Sequence, residues 1–402
     1  MSPSGRREFS ERFTKLHVTV GPSTRTLETL HELIAAGANG FRVNSSHTDA
    51  AGVGDWVGLI SRARNESGKA LTIRLDVEGP RVRCSPNTER LTVGPGDVLA
   101  FAEDRSIAAD VYLSRRGALK QILEDDVIEV NRGAVGLRVL STGRVTRLEA
   151  VNAGEIGVNC AFALRGRLLD LPFPSRRDRA DMTAGIRAGV DLIGLSCISS
   201  VEEIERARAH IGVLGSRVRL LAKIETAEAL GSLSDIVATA DAVSISRGDL
   251  DTVVIPAQRP STIARIASEA RKAGRPVQVA GRVLGDWNAT GYVSSEVVAD
   301  LWSLLELEVD GLSLSDETAI SRNPVEAVQA LDRVVRRWER THVQGLSRSR
   351  TSAADVDSAL ALSRARIPMF TTFATPKEDS GWLNLHWGFP RDTNGHIERH
   401  EL

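Results

Sequence analysis

Lys223, Glu225 and Asp249 fall in two short runs, Ala222-Lys223-Ile224-Glu225-Thr226 and Ser246-Arg247-Gly248-Asp249-Leu250, each placed where an apolar stretch gives way to polar residues. Two carboxylates so placed suit a hard divalent cation, and a neighbouring lysine can stabilise negative charge on a substrate oxygen. Gly248 beside Asp249 leaves backbone amide room for a carboxylate or phosphate. A buried ion-pair network is the alternative, because it draws on the same residue types. Two further runs are Phe41-Arg42-Val43-Asn44-Ser45-Ser46-His47 and Arg74-Leu75-Asp76-Val77-Glu78-Gly79-Pro80-Arg81-Val82-Arg83. Arg42 and Arg83 supply planar forks suited to phosphate, and Asn44, Ser46 and Asp76 supply oxygens for a weakly held cation.

Such residues must be brought together by the elements that carry them. Eight near-continuous apolar runs read as strands buried on both faces: His17–Val20, Gly40–Asn44, Leu71–Asp76, Val190–Ser196, Val218–Lys223, Asp241–Ser246, Pro276–Ala280 and Val309–Leu314. Segments of helical period separate most of them: Thr26–Ala36, Val201–Leu214, Pro260–Ala273, Ser294–Leu307 and Pro324–Arg340. This alternation predicts an α/β fold, a (β/α)8 TIM barrel whose site lies at the strand C-terminal ends. The barrel is expected over residues 14–84 and 170–340. Residues 85–169, with Gly-Asp and Asp-Asp turns and short Val-rich runs, read as an inserted small all-β domain that would act as a lid over the barrel mouth. Residues 341–402 read as a short irregular C-terminal tail, either exposed or docking a partner.

The bulk numbers narrow the function class. A net charge of −1 over 402 residues offers no field for nucleic acid or an anionic membrane, so small-molecule partners are favoured. Cys84, Cys160 and Cys197 show no metal-type spacing, and an odd count argues against a disulfide framework. A polar start and the lack of any apolar run of about 18 residues predict a soluble cytoplasmic protein.

Seven motifs, in order and spacing, carry a family likeness: Thr14-Lys15 through Gly21-Pro22-Ser23, Arg42 to His47, Leu75 to Pro80, Asp170-Leu171-Pro172, Ala222 to Glu225, Arg247 to Leu250 and Ser315 to Ala319. Over about 14–340 the chain resembles pyruvate kinases. The resemblance implies Mg2+ (or Mn2+) on Glu225 and Asp249, with Lys223 on the transferred phosphoryl and developing enolate and Arg42 on that phosphoryl. It implies a monovalent cation on Asn44, Ser46 and Asp76, and Asn44, His47, Arg83 and Arg177 near a nucleotide, ADP or ATP. The family's C-terminal regulatory domain has no counterpart in the last 60 or so residues, so control by a sugar phosphate is not expected; a homodimer is.

Departures from the pattern bear on the substrate. Glu78 and Arg81 each reverse a charge usual in the family, and Arg81, as in members with a basic residue there, argues against a K+ requirement. Gly281 stands in place of a threonine that helps hold the substrate carboxylate. Cys197 replaces a phenylalanine, and Ser244 and Ser313 replace methionines that line the pocket. Small polar groups for large apolar ones predict a pocket too large and too wet for pyruvate. Three readings follow: phosphoryl transfer between an enolpyruvate-type phosphate and ADP, a Mg2+-dependent lyase or aldolase on a larger 2-oxo acid without nucleotide, and a non-catalytic ligand-binding protein.

Overall fold

A computed structural model describes residues 12–348, apart from 132, 167–168, 215–217 and 251–252. The tail expected at 341–402 lies outside the described residues from 349 onward. Two compact units divide the chain: Met1–Val77 with Arg176–Leu402, and Glu78–Ser175.

The first unit is a closed parallel barrel of eight strands: β1 (Lys15–Thr19), β2 (Gly40–Asn44), β3 (Thr72–Val77), β4 (Leu192–Leu195), β5 (Arg219–Ile224), β6 (Ala242–Ser246), β7 (Val277–Ala280) and β8 (Gly311–Leu314). They follow one another round the barrel in chain order, and β8 pairs back onto β1 through Lys15↔Gly311 to Val18↔Leu314. Strand residues of alternate phase face the surrounding helices and are buried there, among them Leu16, Val18, Phe41, Val43, Ile73 and Leu75. All eight predicted strands are therefore present, and the mixed α/β barrel is the observed fold.

Helix starts follow local chemistry. Thr26 accepts from Thr29 N to open the helix Leu27–Ala35, and Asp49 accepts from Gly52 N to open Ala50–Ser67, which stops at Gly68 with φ of 63°. Glu203 reaches back to Ser199 N at 2.6 Å and Ser200 N at 3.3 Å, closing a capping box at the head of Val201–Val213. The helix Pro324–Arg348 runs past residue 340, and its Glu339 accepts from Phe13 N and Thr14 N, tying down the chain entering β1.

The seam between β8 and β1 explains two of the sequence motifs. Thr19 Oγ1 donates to Leu314 O, while Thr318 Oγ1 donates to Thr19 O and accepts from Thr19 N. A Cβ on Gly21 would lie 2.5 Å from Ala319 O, so only glycine lets these segments meet. Glu317, buried, accepts from Ser315 N and Leu284 N and so links the β7 and β8 exits.

The second unit is a closed all-β barrel with strands, in order round it, Thr146–Ala150, Val98–Ala102, Val111–Leu113, Val82–Pro86, Cys160–Leu164, Val127–Val130 and Val135–Ser141. Its core includes Phe101, Ile128, Val130, Leu137 and Leu148, all fully buried.

Candidate active site

The C-terminal ends of the barrel strands bring most of the predicted polar residues together. Lys223, on β5 and only 6 % exposed, has its ammonium 2.7 Å from Glu225 Oε1 and 3.4 Å from Asp76 Oδ2, and donates to Ser196 Oγ at 2.8 Å. Asp76 Oδ2 also accepts from Arg42 Nε at 2.8 Å, and Asp76 Oδ1 lies 2.9 Å from Arg74 Nε. Burial by itself would raise the Asp76 pKa, but Arg74, then Arg42 and Lys223, outweigh it and hold the carboxyl well below the usual range. Arg42 Nη1 donates to Thr19 Oγ1. Glu225 Oε2 accepts from Cys197 N at 2.9 Å and Cys197 Sγ at 3.2 Å, with Cys197 itself in the left-handed region at φ of 53°. The ion-pair network weighed against catalysis is thus real, and it is built from the residues that could do chemistry.

Three contributors escaped the sequence reading: Arg74, Ser196 and Thr19. A charged residue in phase with Asp76, two positions upstream in Thr72-Ile73-Arg74-Leu75-Asp76, was the available signal for Arg74.

Asp249, half-buried, lies in the short helix Arg247–Leu250 that follows β6, next in the barrel to β5, whose exit carries Glu225. A Cβ built on Gly248 meets nothing within 4 Å, so open space borders it. Arg247 donates to Gly281 O at 3.0 Å and Arg282 O at 2.7 Å and pairs with Asp300 at 2.6 Å, fixing the β7 exit against the β6 exit. Gly281 has φ of 88°, and a Cβ there would sit 3.0 Å from Gly248 N. A side chain at 281 would be strained at that φ and would crowd the Gly248 amide, so glycine is built into the backbone here.

Arg177 Nη2 donates to Ser45 O and Thr48 O, both at 2.8 Å, which places it against the loop that carries exposed His47 and buried Ser46. Asn44 Oδ1 accepts from Ser46 N. Arg83 and Arg81 belong to the second unit. There Arg83 Nε lies 3.3 Å from Glu78 Oε1 and Arg83 N donates to Ser114 Oγ, beside a cleft of about 450 Å³ lined also by Tyr112, Arg105 and Arg116.

Deeper in the barrel, His17, Ser244, Gln278 and Ser313 are fully buried and Arg74 is 1 % exposed. Gln278 Nε2 reaches Ser244 Oγ at 3.3 Å, and His17 stands in register with Ser313. Such a layer is polar where barrel interiors are ordinarily filled by branched apolar side chains; Leu192, Leu221 and Ala242 form the apolar cluster. Ser244 and Ser313, expected to line the substrate pocket, are thus buried within this polar layer, Ser244 accepting from Gln278.

Burial first, and then Arg74, push the His17 pKa down from 6.5 to about 3. The unfolded chain binds this proton near pH 6.5 and the native one only near pH 3, so the stabilisation is complete above pH 6.5 and is lost as pH falls toward 3. Between pH 7.5 and 5 this one group should account for about 2 kcal/mol of lost stability. Urea unfolding at the two pH values should show a shallower decline for His17→Gln than for the native chain; parallel declines would remove His17 from the account.

Among the described residues no group of three or more His, Cys, Asp or Glu gathers as a metal cluster. Glu225 and Asp249 at neighbouring strand exits are the carboxylates that would hold Mg2+, which keeps several waters and takes one or two protein carboxylates together with substrate oxygens, and Glu225 would exchange its Lys223 or Cys197 contact for the ion. Of the donors proposed for a monovalent cation, Asp76 does not suit one, because both of its oxygens already face cationic side chains.

Comparison with known proteins bears on the family and the fold. A family model described as the pyruvate kinase barrel domain matches residues 11–328. The chain belongs to the pyruvate kinase family. The pyruvate kinase of Aeropyrum pernix is 30 % identical over 327 residues, covering 80 % of this chain and 69 % of that protein. One from Agrobacterium vitis is 27 % identical over 416 residues, covering 94 % and 86 %. The crystal structure of pyruvate kinase from Pyrobaculum aerophilum superposes with a TM-score of 0.71 at 26 % identity, covering 81 % of this chain and 73 % of that one. That of Cryptosporidium parvum pyruvate kinase shares the fold, with a TM-score of 0.77 at 24 % identity over 83 % and 72 % of the two chains. Among the described residues no helix is long and apolar enough to cross a membrane.

Proposed function

We propose that this member of the pyruvate kinase family catalyses Mg2+-dependent phosphoryl transfer between an enolpyruvate-type phosphate and ADP, and that its substrate is bulkier or more polar than phosphoenolpyruvate. The observation that carries the reading is the Lys223 ammonium, held by Glu225, Ser196 and Asp76 at the barrel mouth next to the Arg42 fork. Phosphoryl transfer is mostly positioning and charge neutralisation, and these side chains supply both. Mg2+, held by Glu225 and Asp249, would supply charge to the phosphate and oxo-acid oxygens. Lys223 stabilises the enolate oxygen as the phosphoryl leaves it. Arg42, anchored through Nε and Nη1, turns its remaining edge to the phosphoryl oxygens. Open space beside Gly248 admits the substrate carboxylate. Arg177 and His47, on adjoining segments, are the barrel groups proposed for the nucleotide.

The substrate part of the proposal is supported by Gly281, which gives no hydroxyl to a substrate carboxylate; Ser244 and Ser313, expected to line the pocket, are instead fully buried in the layer with Gln278 and Arg74. A thermal-shift series with Mg2+ should compare phosphoenolpyruvate, pyruvate, oxaloacetate and bulkier 2-oxo acids, each with and without ADP. A ligand at 100 times its Kd stabilises by about 2.7 kcal/mol. The bulkier or dicarboxylic acids should give the larger shifts and ADP should add to them. A largest shift with pyruvate would overturn the substrate reading. Large oxo-acid shifts with none from ADP would favour the lyase or aldolase reading.

A further inference from the structure

We propose that Arg74 is a built-in counter-cation for Asp76 that takes the place of a monovalent metal ion and positions Arg42 and Lys223 through that carboxylate. Arg81, whose charge argues against a K+ requirement, belongs to the second unit; within the barrel unit Asp76 meets Arg74 at one oxygen and Arg42 and Lys223 at the other. Arg74 and Asp76 both project from β3 on the same alternate phase, their side chains each 1 % exposed, with Nε 2.9 Å from Oδ1. The other oxygen, Oδ2, faces Arg42 Nε at 2.8 Å and Lys223 Nζ at 3.4 Å. Backbone closes the remaining side: a Cβ on Gly194 of β4 would lie 2.1 Å from Asp76 Oδ1.

A metal ion beside Asp76 would therefore meet three cationic side chains across one carboxylate. Arginine suits the replacement because it stays charged when buried, whereas an exchangeable ion must be bound from solution; Arg74 meets Asp76 as a close ion pair and not as a directed hydrogen bond. The guanidinium is lowered by burial only to about 10, so it remains charged at neutral pH. Asp76 can then hold Arg42 and Lys223 in place without any exchangeable ion. Arg74 is a positioning residue that acts through Asp76. Its meaning for catalysis rests on the phosphotransfer reading, whereas the ion-binding test below needs no substrate and no turnover.

Thermal unfolding of the full chain in KCl and in tetramethylammonium chloride at equal ionic strength separates specific ion binding from screening, because the organic cation is too large for such a site. The native protein should melt at the same temperature in both salts. Arg74→Met, which keeps much of the side-chain volume, should melt lower and regain stability with K+ in a saturable way, while tetramethylammonium leaves it unchanged. Arg74→Lys, which keeps the charge, should stay insensitive to K+. Saturable K+ stabilisation of the native chain would overturn the proposal, as would a folded Arg74→Met with equal melting temperatures in the two salts. Should Arg74→Met fail to fold, the native and Arg74→Lys arms still decide: both must be insensitive to K+, and sensitivity in either refutes the role.

Discussion

Lys223→Met should lower turnover by about 10²–10³-fold or more, the loss typical when a charge-stabilising donor is removed from a developing oxyanion. The change should fall on kcat rather than on KM, because the ammonium is asked to act on charge that appears only as the phosphoryl leaves. The fold should survive. Glu225 keeps its bonds from Cys197 N and Sγ, and Asp76 keeps Arg42 and Arg74, so neither buried carboxylate is left without a partner. Steady-state kinetics with Mg2+, ADP and the best ligand from the thermal-shift series provide the measurement, with a melting curve as the check on folding. Unchanged kcat in a folded variant would take the amine out of the chemistry and the phosphotransfer reading with it.

Asp76→Asn should be the most damaging conservative change to stability in the barrel, at about 3–5 kcal/mol. The amide is nearly isosteric, so packing is retained and the loss is electrostatic. Lys223 would then keep Glu225, whereas Arg42 and Arg74 would lose the carboxylate they pair with, and the amide nitrogen would point a donor at one of the guanidinium groups. Urea unfolding at neutral pH should show a lowered midpoint with an unchanged slope. The pH dependence has a defined sign. Asp76 titrates below its unfolded value of 3.8, so its contribution is complete above about pH 4 and disappears as pH falls toward the folded value. A loss under about 1 kcal/mol would mean that the three cations are satisfied elsewhere.

Much of this organisation was legible along the chain because it is local. Apolar runs of strand length, helical period between them, and caps such as Thr26, Asp49 and Ser294 are set by neighbours a few residues away. The strand-end position of Lys223, Glu225 and Asp76 followed from where those runs stop, and their order matched a family pattern. The unit boundary near Val77 and the helix reaching Arg348 depend on contacts that the linear pattern does not mark.

The sequence by itself determined the element order, the βα alternation and which polar residues close each strand, since hydrophobic period and turn chemistry act over short spans. Only the tertiary structure decided what those residues do to one another. Alternation assigns Arg74, His17 and Gln278 to one face of a strand, but barrel closure alone makes that face the inside, where charge must be paired. The same closure sets Asp76 among three cations and Cys197 against Glu225. It also sets Gly281 against the Gly248 amide. Each of these contacts joins residues distant in sequence, and their energies depend on burial that no single strand possesses.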